Sequence, residues 1–156
     1  APFAFDLDYR PAPGILRNQC GTQPILSLAA LDAALDVWDD VDMHVVRAKS
    51  MALCKLFIDL VEERCGAHGV KLAGPRSMRE RGSHVSLQCP EGYAVMQALI
   101  ANHVVGDFRA PDMIRFGFTP LYTRYADVWD AVDGLARILD GRLCDQPQFR
   151  ARKAVT

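Results

Sequence analysis

The stretch from Met43 to Cys65 constrains the fold more than any other part of the chain. Met43, Val46, Leu53, Phe57 and Leu60 recur at helical spacing as one stripe, and Cys54, Ile58, Val61 and Cys65 form a second beside it. Two adjoining stripes make a broad apolar face, so a helix over about 43–65 has to lie against a sheet or across a domain junction. Asp39, Asp40 and Asp42 stand before or at its start, where acidic groups favour the positive end of the helix dipole. Gly66 and Gly69 end it.

The rest of the chain supplies that sheet in short pieces. Val70 to Ala73 is strand-like, and Ser83 to Leu87 alternates, with Val85 and Leu87 on one face and His84 and Ser86 on the other. Pro90 and Gly92 turn the chain into a short helix bearing Val95, Met96, Leu99 and Ile100. Asp107-Phe108-Arg109 and Met113 to Phe118, separated by Ala110-Pro111-Asp112, read as a hairpin. A final amphipathic helix over about 122–140 keeps Val128, Val132, Leu135 and Leu139 in register. Nearer the start, Leu28, Leu31, Leu35 and Trp38 predict a helix over about 23–38, with Thr22 as a cap and Pro24 in its first turn. Strands joined by short turns predict an α+β fold, with a small antiparallel or mixed sheet and helices on one side. The expected division is an extended arm over 1–22, a small domain over 23–141 and a polar tail over 142–156. The arm carries Phe3, Phe5, Leu7, Tyr9, Ile15 and Leu16 between prolines, which reads as chain leading from something upstream.

Composition excludes several classes of function. Eighteen Lys and Arg against nineteen Asp and Glu leave a formal charge of −1, which gives no electrostatic case for a nucleic-acid or anionic-membrane partner. No apolar run approaches the ~20 residues that span a bilayer. The five cysteines (Cys20, Cys54, Cys65, Cys89, Cys144) are scattered and odd in number, which predicts free, mostly buried thiols in a reducing cytoplasm. His44, His68, His84 and His103 share no ligand spacing, so neither a metal site nor a catalytic triad is assigned.

Two residues remain as candidates for binding. Between Met113 and Phe118, Ile114, Phe116 and Phe118 share one strand face, and Arg115 points to the other beside Gly117. An arginine held on a strand next to a bare glycine can offer a two-pronged donor to a carboxylate. The plainer alternative pairs it with a local acid, Asp107 or Asp112. Thr22, with the N–H groups of the helix it precedes, could receive a phosphate or carboxylate, or could simply cap that helix. Arg76, Arg79 and Arg81 form a basic loop around Glu80, which reads more simply as solvated. Nothing beside Cys20 marks it as a nucleophile.

Five separated strings then stand in a familiar order: Pro11-Ala12-Pro13-Gly14-Ile15, Cys20-Gly21-Thr22-Gln23-Pro24-Ile25, Arg81-Gly82-Ser83, Gly106-Asp107-Phe108-Arg109-Ala110-Pro111, and Arg115-Phe116-Gly117-Phe118-Thr119-Pro120-Leu121-Tyr122. Together they resemble the C-terminal part of bacterial kynureninases, from Ala1 to about Asp140. The resemblance implies the small C-terminal domain of an enzyme of the aspartate-aminotransferase fold type that uses pyridoxal 5′-phosphate. It implies a homodimer, a large upstream domain absent from this sequence, and hydrolysis of L-kynurenine or its 3-hydroxy form, the former giving anthranilate and L-alanine. It assigns Arg115 to the substrate α-carboxylate and Thr22 to the cofactor phosphate of the partner subunit. It places no catalytic residue here. Lys49, Lys55, Lys71 and Lys153 match no family context for the cofactor-bearing lysine. The fragment alone is therefore expected to be inert. Two alternatives stay open: the small domain of another pyridoxal-phosphate enzyme, such as a desulfurase or aminotransferase, and a non-catalytic assembly module.

Overall fold

The computed structural model describes residues 7–19 and 21–152, and these divide into two compact units between Val41 and Asp42. In the first unit, a 3-10 helix at Gly14–Asn18 is followed by α1 (Ile25–Leu35) and a 3-10 helix at Asp36–Trp38. The helix expected from about 23 thus starts two residues later. Pro24 is its N-cap, no side chain caps it, and Thr22 lies in a bend before it. The expected stripe of Leu28, Leu31, Leu35 and Trp38 is exposed, and so are Ile25 and Leu26, so apolar residues run around the helix and no single face is distinguished. The boundary between the two units falls beyond α1.

The second unit is organised by α2 (Met43–Cys65), the helix that the double stripe predicts. The Asp42 carboxylate accepts from the His44 N–H at 2.7 Å and caps it, which satisfies one of the donors left free in the first turn. A 3-10 turn over Gly66–His68 closes at Gly69, whose φ of 79° is left-handed and favours glycine. The sheet follows: β1 (Lys71–Leu72), β2 (His84–Gln88), α3 (Gly92–Ala101), β3 (Asp107–Arg109) and β4 (Met113–Gly117). It is four-stranded and antiparallel, in the order β1-β2-β4-β3, so β4 lies between β2 and β3. This is the predicted α+β class.

One sheet face is the core. Val85, Leu87, Ile114 and Phe116 are buried on it, and Phe57 of α2, fully buried, meets the rings of Phe116 and Phe118 at 4.9 and 5.1 Å. The two-residue period of the strands and the stripe of α2 therefore meet where the sequence pattern places them. The final long helix, α4 (Tyr125–Asp140), starts three residues later than expected. Residues 119–123 form a turn, and the Arg124 N–H donates to the Asp127 carboxylate at 2.7 Å, fixing the helix start. The segment after Gly141 also departs from the expected polar tail. A 3-10 turn at Leu143–Asp145 and α5 (Pro147–Arg150) bury Cys144 and pack Phe149 against the core. Lys153, like Phe3, Phe5 and Cys20, lies outside the described residues.

Candidate functional site

Alternation along β2 and β4 puts the polar residues on the face opposite the core. His84, Ser86 and Gln88 face Gly117, Arg115 and Met113 across the β2–β4 register, while Asp107 and Arg109 of β3 face Arg115 and Met113 from the other side. Arg115 is central in this face. Its side chain is 34% exposed and that of Asp107 46%.

The Arg115 guanidinium is engaged. Nε donates to Asp107 Oδ1 at 2.7 Å and Nη2 donates to Oδ2 at 2.5 Å, a two-pronged pair along one edge of the fork. Asp112, the other acid considered, instead accepts from the Gln88 amide at 2.7 Å. Arg115 is thus paired with a local acid, Asp107. It takes one edge only: Nη1 has no acceptor among the described residues, and a Cβ placed on Gly117 would meet nothing within 4 Å. The hydrogen bonds from Arg115 hold the Asp107 carboxyl below its ordinary range, with Arg109 and His84 adding to the same field. The same pair raises the Arg115 pKa, so both partners are charged at neutral pH.

The β3–β4 turn brings the pair together. Asp107 and Arg115 lie at equal distances in sequence from Pro111, so the hairpin sets them opposite one another. Gly106 permits the approach, since a Cβ there would stand 2.6 Å from the Arg115 carbonyl oxygen and 2.8 Å from Met96 Cε. From the sequence alone, Asp107 is only one of two competing acids, Asp112 being the other. The count of residues across the turn was the signal that could have chosen between them.

The other candidates are placed as follows. The Thr22 hydroxyl is exposed, in the first unit, and no described residue hydrogen-bonds it. The basic loop is more anchored than a solvated loop: Arg76 pairs with Glu62 of α2, Arg47 donates to the Met78 carbonyl at 2.5 Å, and the Ser50 and Ser83 hydroxyls meet at 2.7 Å. Arg81 Nε and Nη1 are buried there without an acceptor among the described residues. Cys54, Cys65, Cys89 and Cys144 are buried free thiols; burial pushes Cys65 up to about 11 and Cys89 up to about 12, so neither is a nucleophile at neutral pH. Among the described residues, no three potential ligands stand close enough to hold a metal, and no helix is long and apolar enough to cross a membrane.

Two open cavities lie away from Arg115. One, of about 490 Å³, is bordered by His103, Asp127, Asp130 and Arg137, and the other, of about 370 Å³, by Glu91, Tyr93, Arg150 and Arg152. Neither contains a lysine, and Lys55 is paired with Asp59 at 2.5 Å. What the described residues present on this side of the sheet is the Arg115 guanidinium, with one edge taken by Asp107, and Thr22 in the first unit presents an exposed hydroxyl.

An α+β small domain with a strand-borne arginine on its polar sheet face is the class that fold and site define. Comparison with known proteins narrows this. The family description "Kynureninase C-terminal domain" matches residues 46–135. A kynureninase of Burkholderia mallei strain SAVP1 is 53% identical over 156 residues, covering 100% of this chain and 38% of the relative. A kynureninase of Burkholderia pseudomallei strain K96243 stands at the same 53% and 38%, and one of Pseudomonas fluorescens is 54% identical over 154 residues, covering 99% of this chain and 37% of the relative. The chain belongs to the kynureninase family and corresponds to its C-terminal domain, spanning little more than a third of the length of these relatives.

Proposed function

We propose that this chain is the carboxylate-recognising small domain of a cytoplasmic, pyridoxal 5′-phosphate-dependent kynureninase. In that role it would serve a homodimeric hydrolase that cleaves L-kynurenine to anthranilate and L-alanine in tryptophan catabolism. Family membership supports the reading. The single observation that carries it into this chain is Arg115, charged, half-exposed and with one edge of its fork unused.

In this reading the open edge of Arg115 receives the substrate α-carboxylate. Two parallel N–H donors fix the position and plane of that group, which lowers the entropic part of the barrier to reaction elsewhere on the substrate. Arg115 binds and orients; it moves no proton. Thr22 meets the cofactor phosphate of the partner subunit, which its unbonded hydroxyl leaves it able to do. The cofactor supplies the electron sink for bond cleavage, and its lysine belongs to an upstream domain. That domain and the second subunit would also cover α1, since a helix apolar on every side is stable when its surface is covered. This chain without them is inert.

The test is anthranilate release from L-kynurenine and from 3-hydroxykynurenine by the full-length polypeptide, beside the fragment alone. Turnover of kynurenine by the former and none by the latter is expected. A full-length protein that releases no anthranilate but transaminates or desulfurates amino acids would replace the reading with another member of the cofactor superfamily.

A further inference from the structure

The open face of the sheet holds a carboxylate acceptor and a guanidinium in one fixed relation, and that relation determines which donors stay available. A guanidinium has two edges that can grip a carboxylate in parallel. One consists of Nε–H with an Nη2–H; the other is the end of the fork, an Nη1–H with the second Nη2–H. Asp107 takes the first edge with both oxygens, at 2.7 and 2.5 Å. The end of the fork has no acceptor among the described residues.

We propose that Asp107 is a positioning residue for substrate recognition: by clamping the Nε edge of Arg115 it holds the open end of the fork in the plane that a substrate carboxylate must meet. This rests on the reading that Arg115 binds that carboxylate. Three features of the fold build the clamp. The β3–β4 register sets Asp107 directly opposite Arg115. Gly106 lets β3 approach β4 at that point, where a Cβ would stand 2.6 Å from the Arg115 carbonyl. Gly117, two residues along the same face from Arg115, leaves open space beside the guanidinium, with nothing within 4 Å of where its Cβ would be. Arg109 Nη2 lies 3.5 Å from Asp107 Oδ2, too far to compete with the paired hydrogen bonds but near enough to keep the carboxylate charged.

An unclamped arginine side chain has several rotamers at similar energy, and each substrate would have to select one. A clamped one meets the carboxylate already aligned, so the loss of Asp107 falls on binding. Asparagine cannot replace it. Its amide keeps one acceptor but turns an N–H towards Arg115, so the second prong is lost and the fork is free to swing.

The experiment compares Asp107→Asn, Asp107→Glu and Arg115→Lys in the full-length enzyme, with KM and kcat for L-kynurenine, affinity for an analogue lacking the α-carboxylate, and thermal melting of each. For Asp107→Asn, KM is expected to rise at least about ten-fold, the scale of weakening a hydrogen bond to a charged group. Its kcat should stay within about three-fold, and the analogue should bind as to the unaltered enzyme. Asp107→Glu keeps the charge but shifts the fork, and should raise KM by less. If Asp107→Asn does not fold, Asp107→Glu decides by itself, a raised KM supporting the clamp. If Arg115→Lys raises KM while neither Asp107 variant does, or if the Asp107 variants lower kcat and leave KM unchanged, the clamp is overturned and the Arg115 reading survives. If Arg115→Lys leaves KM unchanged, the carboxylate reading itself fails.

Discussion

The two faces of the β1–β4 sheet are made of alternate residues of the same strands, and they do opposite work. The face towards α2 holds Val85, Leu87, Ile114 and Phe116, closed over by Phe57. The face away from it holds His84, Ser86, Arg115 and Asp107, half-buried or exposed, with charges paired side to side. On the first, burial of apolar area stabilises the fold without regard to direction. On the second, little area is buried, and what matters is where particular N–H and carboxylate groups point. A strand can serve both ends because its side chains alternate, so a change on one face should leave the other nearly untouched.

That separation can be broken, starting with the largest effect. Phe57→Ala should cost about 3–5 kcal/mol, the usual loss for emptying a fully packed aromatic site, read as a lowered urea midpoint. Any surviving folded fraction should retain its substrate KM; a selective rise in KM would show that the faces are coupled. Gly106→Ala tests the edge at which they meet. Its methyl would collide with the Arg115 carbonyl and Met96, so it should destabilise by about 1–3 kcal/mol and also raise KM. Arg115→Lys gives up the two-pronged bond to Asp107 and should cost no more than about 1 kcal/mol of stability, the scale of a half-exposed ion pair. It should raise the KM for a carboxylate-bearing substrate at least about ten-fold, because a point charge replaces a fork.

Gly117→Val places a branched side chain in open space and should leave the melting temperature unchanged. A few-fold rise in KM would confirm that this space admits the ligand, and no rise would remove it from the site. The smallest effect is on pH dependence. Arg115 lowers the Asp107 pKa in the folded state, and Arg109 and His84 also face this carboxylate. Its contribution to stability is therefore complete above the unfolded carboxylate value of ~3.9 and is lost as pH falls through the lowered folded value. The stability difference between the unaltered protein and Asp107→Asn should be constant from neutral pH to about 5 and shrink in stronger acid. Urea titrations across that range measure it; a difference that vanished near neutral pH would contradict the pairing.

Much of the fold was legible in the sequence because it rests on periodicity. The double stripe of Met43–Cys65 gave α2 with its boundaries, and the alternation at Val85, Leu87, Ile114 and Phe116 gave the buried sheet face. Element ends were less legible. α1 and α4 start later than expected because Pro24 and the Asp127 bond to the Arg124 N–H set them, and these are local contacts that spacing does not reveal. The segment after Gly141 looked like a polar tail because its few apolar groups, Cys144 and Phe149, matter only once a core exists to receive them.

At the candidate site, the sequence by itself determined that Arg115 points away from Phe116 and that Gly117 leaves room beside it, since both follow from the two-residue period of a strand. It could not decide between Asp107 and Asp112 as the partner. That choice belongs to the tertiary structure: the hairpin register sets Asp107 opposite Arg115, and Gln88 of a different strand occupies Asp112. Covalent geometry fixes the side of a strand on which a residue stands, whereas the donor it meets across the sheet depends on how separate segments align.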